Sequence, residues 1–345
     1  MKFKKLTAAV LAVLMLFGLA SCGDTSTVYT IDGTKITPGL YRAIMLNSYY
    51  SAVDKLEDPS ADVWKQSIEG VSFGDYVEQL ALDDCKTYVA IEKKFDELGL
   101  TLTSDEEAQS TNYYKSIWDT YGDYFEDNGI SQATMVKVGQ NSTRKSRIFQ
   151  YYYYEGGTKA VAQTEIDSYI KDNYIAYKSI IGSLLDSDGN KVTGNNYTAI
   201  KAIYQSYFDR AAKGEDFNDL IDEYQAYIAE QNGTTATDPS TKEESDYYSV
   251  MNKNTTTASE TLLDTLNSAK ASDVKLVEDD SYVYVLQKLD VMSLTDSYES
   301  LSQSAISDLK SGEFTDEIKA WYADYSVESN SSALSKYKPE KLKLS

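Results

Sequence analysis

Histidine is absent from all 345 positions of this chain. That removes the side chain most used for general-base work near neutral pH. Any zinc site would be left to cysteine or carboxylate alone, and no such cluster is evident. The run Gly70-Val71-Ser72-Phe73-Gly74 matches the nucleophile-elbow pattern but has no triad base to serve it. Cysteine occurs only at Cys22 and Cys85, with no Cys-x-x-Cys pair. Cys85 shares a helical face with Val77, Ala81, Tyr88 and Phe95 and reads as a small buried hydrophobe. Basic residues are scarce: 33 Lys and Arg stand against 54 Asp and Glu, for a formal charge of −21. Such a surface repels nucleic acid and anionic lipid headgroups and favours encounter with basic or unfolded cationic chains. Long apolar runs are missing too. Only Leu6 to Gly18 is continuous, and it is too short for a comfortable membrane span.

What is present is enough for a core. With 42% hydrophobic and 25% charged residues, the chain has material for two or three modest domains. Thirty tyrosines stand beside nine phenylalanines and three tryptophans. Tyrosine suits adaptable contact surfaces, and it also replaces Phe at half-buried core positions. At the start, Lys2, Lys4 and Lys5 precede the apolar run, and Leu19-Ala20-Ser21-Cys22 follows it. Residues 1–21 read as a secretory signal. The small residues before Cys22 resemble a bacterial lipobox. The resemblance implies a lipid anchor on Cys22, a linker over 22–27, and a position on the extracytoplasmic face of the cell membrane. Loss of residues 1–21 would remove three lysines and no acids, taking the charge to −24. With Cys22 lipidated, Cys85 has no disulfide partner.

Residues 28–176 read as a mainly helical domain. Val28 to Ile31, the Asp32-Gly33 turn and Thr34 to Ile36 look like a strand-turn-strand, with Thr37 and Pro38 opening a helix. Glu57 to Gly70 reads as a loop or short helix. A long helix is expected from about Tyr76 to Leu98, stopped at Gly99. Thr103 and Glu106 form a capping box for the next helix, which carries Trp118, Tyr121 and Phe125 and ends at Asn128-Gly129. Ser131 caps a further helix with Met135, Val138 and Ile148, and Glu165 to Tyr177 gives one more.

Residues 177–292 read as a small α+β module. An apolar strand opens it around Ile180 and Ile181, and the alternating run Ser281 to Asp290 closes it. Between them lie a helix over Asn196 to Ala212, the run Lys213-Gly214-Glu215-Asp216-Phe217 opening a second helix, and a polar stretch from Gln231 to Ser259. Asp186, Asp188 and Asn190 have partial Ca²⁺-loop spacing, but Lys191 replaces the required Gly, so they read as a polar turn.

This order resembles a parvulin-type peptidyl-prolyl isomerase domain inserted in a helical chaperone domain, as in extracytoplasmic foldases of the PrsA and SurA kind. The resemblance implies an α+β fold and a binding role toward unfolded, newly secreted polypeptides. It also implies isomerisation about prolyl bonds, which requires neither a nucleophile nor a cofactor. Laid on the family pattern, Ser179 falls where the first-strand histidine would be. The last-strand histidine falls at Val283 or Tyr284, and Phe217 lies in the segment of helix, Gly, acid and Phe. Leu262, Leu263 and Leu266 stand where apolar slot residues would come. With histidines and central glycines missing, the active centre reads as degenerate. Residues 293–345 read as a C-terminal helix over Leu301, Ile306, Leu309, Phe314, Ile318 and Trp321 that returns to the N-terminal domain, then a mobile basic tail from Lys336. A homodimer through the N-terminal domain stays open. The alternative is a surface lipoprotein that binds a ligand or partner protein and has no folding role.

Overall fold

Asp32 and Gly33 both take positive φ, 45° and 81°. That is the turn geometry whose twist suits a two-residue hairpin. They join β1 (Tyr29–Ile31) to β2 (Thr34–Ile36) in antiparallel register, Tyr29 opposite Ile36. The computed structural model describes residues 27–344, so the proposed signal segment and Cys22 lie outside the described residues. Contacts divide the chain into two units. One combines residues up to Tyr153 with those from Ser311 onward, and the other is Tyr154–Lys310.

In the first unit, Thr37 Oγ1 accepts from Leu40 N and starts α1 (Pro38–Val53). This helix is buried on most sides, through Tyr41, Ile44, Met45, Leu46 and Tyr49 among others. Glu57 to Gly70 holds more than a loop. β3 (Ser67–Ile68) and β4 (Val71–Ser72) pair there as a small hairpin. Ser72 is an ordinary helix cap: its Oγ accepts from Asp75 N at the start of α2 (Phe73–Glu97). The capping box at Thr103 and Glu106 forms as read and opens α3 (Ser104–Asp127). α4 (Gln132–Tyr153) follows. Val28, Ile31, Tyr41, Phe73, Val77, Cys85, Val89 and Ile130 form one core.

The C-terminal part of the chain adds to that core. α9 (Thr295–Trp321) places Phe314 against Phe149 and Tyr153. β9 (Val327–Ser329), which has no strand-like sequence signal, pairs with β1 and completes a β2-β1-β9 sheet. The expected mobile tail is instead held down. After α10 (Ser331–Leu334), Pro339 and Leu342 are buried, and Lys343 N donates to Asn128 Oδ1 at 2.8 Å.

The second unit is a four-stranded antiparallel sheet with helices on both faces. α5 (Gln163–Asn173) leads into β5 (Tyr174–Ser183), so the strand starts earlier than the sequence suggests. α6 (Gly194–Ala212) and α7 (Phe217–Gln231) come next, then β6 (Ser249–Asn252), α8 (Glu260–Ser268), β7 (Val274–Glu278) and β8 (Tyr282–Leu289). The strand order is β6-β5-β8-β7. Alternation along the strands sorts the side chains. Ile180, Leu184, Val283 and Val285 meet α6 and α7, while Ile175, Tyr284 and Leu286 meet Leu262 and Leu266 of α8. The sequence sets the module at 177–292. The observed unit runs from Tyr154 to Lys310, and within it Asp308 of α9 accepts hydrogen bonds from Tyr169, Tyr174 and Asn252.

Candidate functional site

The register of β5 and β8 decides which candidate residues meet. Ser179 lies opposite Leu286, and Ile181 opposite Tyr284. Ser179 and Tyr284 are therefore diagonal neighbours on one face, a spacing that aromatic side chains can bridge. Val283 points the other way, into the α6–α7 core. Of the two last-strand candidates, only Tyr284 shares the face of Ser179. Leu262 and Leu266 of α8 cover the same face, at its inner end. Phe217 does not join them. It is buried against α6 and α7 on the opposite face. Its neighbours explain the motif: Asp216 caps α7 through Asn218 N at 2.8 Å, and Glu215 takes a charge-assisted bond from Arg210 Nε at 2.8 Å. The Gly-acid-Phe run is a helix corner here.

The open end of the Ser179 face is apolar and accessible. Ile181 is 42% exposed and Tyr282 is 43% exposed, although both sit on strands of the sheet. Tyr282 leans on Tyr284, with ring centroids 6.0 Å apart. Beside them, between the first turn of α8 and the β7–β8 turn, is a cleft of about 680 Å³ lined by Ala258, Leu262, Asp279, Tyr282 and Tyr284 among others.

Asp279 organises this cleft, and the sequence reading missed it. Its Oδ1 accepts from Ser281 N at 2.9 Å and Tyr282 N at 2.8 Å. Its Oδ2 accepts from Ser259 Oγ at 2.7 Å and Tyr284 Oη at 2.9 Å. Burial pushes this carboxyl up, but the four hydrogen bonds outweigh it and hold the group below its ordinary value. Tyr284 is pushed strongly upward, first by burial and then by the Asp279 carboxylate. Its phenol is therefore neutral and its proton is committed. The neighbouring carboxylates are also partnered, Glu278 with Lys201 and Asp280 with Lys191. What this face offers among the described residues is an apolar shelf, one ordered phenol and a strand edge. The available signal was the Asp279-Asp280-Ser281 turn with a cap residue, Ser259, ahead of an apolar helix.

On the opposite face, close packing fixes the strand that carries Ser179. Tyr224 Oη donates to Ile181 O at 2.6 Å and accepts from Tyr204 Oη at 2.6 Å. Gly182 makes room: a Cβ there would come within 2.0 Å of the Tyr204 ring.

The first unit has a second accessible aromatic surface, on α3. Tyr113 is exposed and packs edge-on against Tyr114, and Tyr121 is exposed at a kink with φ −125°. Tyr124 meets the exposed Tyr50 hydroxyl to hydroxyl at 3.1 Å. No helix among the described residues is long and apolar enough to cross a membrane.

No protein-family model matches the chain, and no curated protein matches it. Solved structures similar to it include the foldase PrsA of Lactococcus lactis, 13% identical, with 92% of this chain and 100% of that chain covered at a TM-score of 0.36. PrsA of Streptococcus pneumoniae is 14% identical, with 79% of this chain and 98% of that chain covered at a TM-score of 0.38. A structure from work on two SurA-like chaperones of Campylobacter jejuni is 8% identical, with 89% of this chain and 99% of that chain covered at a TM-score of 0.29.

Proposed function

We propose that the protein is a membrane-anchored extracytoplasmic chaperone of the foldase kind, with a prolyl-isomerase-like module whose active centre is degenerate. Its substrates are unfolded or newly secreted polypeptides, and its anchor is a lipid on Cys22. The observation that carries this reading is the half-open sheet face, where Ile181 and Tyr282 stay exposed beside Ser179, Tyr284 and the cleft at Asp279. An extended apolar peptide segment matches that shelf better than a small polar ligand does. The tyrosines of α3 add adaptable contact area of low rotamer cost. The chain's acidity draws in cationic unfolded chains.

The prolyl barrier is about 18–20 kcal/mol, and isomerisation needs no proton transfer. A slot that desolvates the amide and favours its twisted state is enough. Here the phenol nearest the shelf already donates to Asp279, so it offers the amide little. The expected outcome is suppression of aggregation of a reduced, unfolded client, together with prolyl exchange at the uncatalysed rate. A client that aggregates at the same rate with and without the protein would sink the chaperone reading and favour a partner-binding lipoprotein. Accelerated exchange that is lost on Ser179→Ala with Tyr284→Phe would overturn the degenerate assignment.

A further inference from the structure

We propose that the first unit holds a peptide-binding seat distinct from the sheet face, occupied in cis by residues 338–344, whose trans ligand is a segment of another polypeptide with the same Pro-x-x-Leu-x-Leu pattern. The seat is built from α1, the first turns of α2 and the C-terminal end of α3. Asn128 is fully buried, and its side-chain amide pairs with the Lys343 backbone as a strand would. Oδ1 accepts from Lys343 N at 2.8 Å, and Nδ2 donates to Lys343 O at 2.8 Å. Arg42 Nη2 donates to Lys341 O at 3.2 Å and to Asn128 Oδ1 at 3.0 Å. These contacts read the main chain and are indifferent to side-chain identity. Pro339 and Leu342 are buried and Leu344 packs on the core, while Lys338, Glu340, Lys341 and Lys343 face outward.

Charge adds a second layer. Lys338 Nζ lies 3.7 Å from Glu78 on α2. Glu340 rests against Gly74 in the first turn of α2, where a Cβ would come within 2.5 Å of its carboxylate. That is the end of a helix that favours negative charge. Arg42 Nε, on the same guanidinium, is buried with no hydrogen-bond acceptor among the described residues. The segment is lysine-rich on an acidic molecule, so charge favours a cationic chain, while the seat itself selects the proline and the alternate leucines. A tethered occupant has an effective concentration in the millimolar range, so it competes strongly with any free peptide.

The test uses a fluorescent synthetic peptide of residues 337–345, a second peptide with Ser at the 341 and 343 positions, and a third with Asp at the 342 position. Fluorescence polarisation is read with the full chain and with full-length Leu342→Asp, which expels its own segment. The first two peptides should bind Leu342→Asp at least tenfold more tightly than the unaltered chain. The third should not bind. Adding Asn128→Ala to Leu342→Asp should abolish binding. A folded Leu342→Asp chain that binds no peptide would overturn the proposal. Binding confined to the chain's own sequence would overturn it as well, because the seat would then be a structural seam. If Leu342→Asp fails to fold, Leu344→Ser opens the half-buried end more gently, and the same order of affinities is expected at a smaller factor. None of these readouts involves the Ser179 face, so aggregation assays stand or fall separately.

Discussion

Asp279 shows how much one carboxylate can organise. It fixes the β7–β8 turn, the first turn of α8 and the Tyr284 phenol at once. Its folded-state value is depressed below the ordinary value of about 4. The stability it contributes is therefore fully present above that value and lost as pH falls through the lower folded value. Asp279→Asn should flatten the acid-side fall in stability, checked by urea midpoints between about pH 5 and pH 3. Cys85 is a contrasting case. Burial pushes its thiol strongly upward, so in a Cys22→Ser chain it should react with a thiol reagent only as fast as the first unit opens. Rapid native-state labelling would contradict the buried assignment. Gly182→Ala should cost about 1–3 kcal/mol through overpacking on Tyr204, read as a shifted denaturation midpoint. At this scale the sequence was partly legible. Its 3.6-residue spacing placed Cys85 in the core, and the cap at Thr103 was plain. The diagonal pairing of Ser179 with Tyr284 was undecidable, because a one-residue slip flips every side chain and both strands are apolar on both faces.

At the scale of elements, local rules worked where a helix has its own cap and failed where an element exists only through a partner. β9 is three exposed polar-flanked residues held by pairing with β1, and tertiary context alone makes it a strand. The stretch from Gln231 to Ser259 read only as a polar stretch for a similar reason. It is tied down by side chains. Lys178, nearly buried on β5, donates to Glu244 Oε1 at 2.7 Å and to Asn218 Oδ1 at 2.5 Å, and Lys242 pairs with Asp222. A lysine at an inward position of an apolar strand was the missed signal. Glu244→Ala should leave the ammonium short of one partner and cost about 1–2 kcal/mol, reduced from a fully buried pair because Glu244 itself is half exposed. Hydrogen exchange should rise across 239–248 and leave β5 protected.

At the scale of the whole molecule, the two units differ in how the chain supplies them. Tyr154–Lys310 is one continuous stretch, whereas the first unit needs residues from both ends. The fragment 154–310 should therefore fold alone, with dispersed amide resonances and a cooperative transition. The fragment 27–153 should not, lacking β9 and the Phe314 side chain that packs on Phe149. Well-dispersed spectra from 27–153 would contradict the division. The α+β class was readable from the order of helices and strands. The exact joints were not, since α5 and the first half of α9 carry the same amphipathic pattern in either unit.

Strand β1 meets β9 with Tyr29 opposite Ser329, 300 positions along the chain. Synthesis runs from the N-terminus at about 5–20 residues per second, so β1 waits on the order of tens of seconds for its partner to exist. Over that interval Val28, Ile31 and Tyr41 have no complete cover, and one strand edge stands open. The newborn chain is thus most vulnerable to aggregation before its last segment emerges. The amount of protein recovered from cells is the quantity most sensitive to a weakened β9, more so than the midpoint at which the finished molecule unfolds.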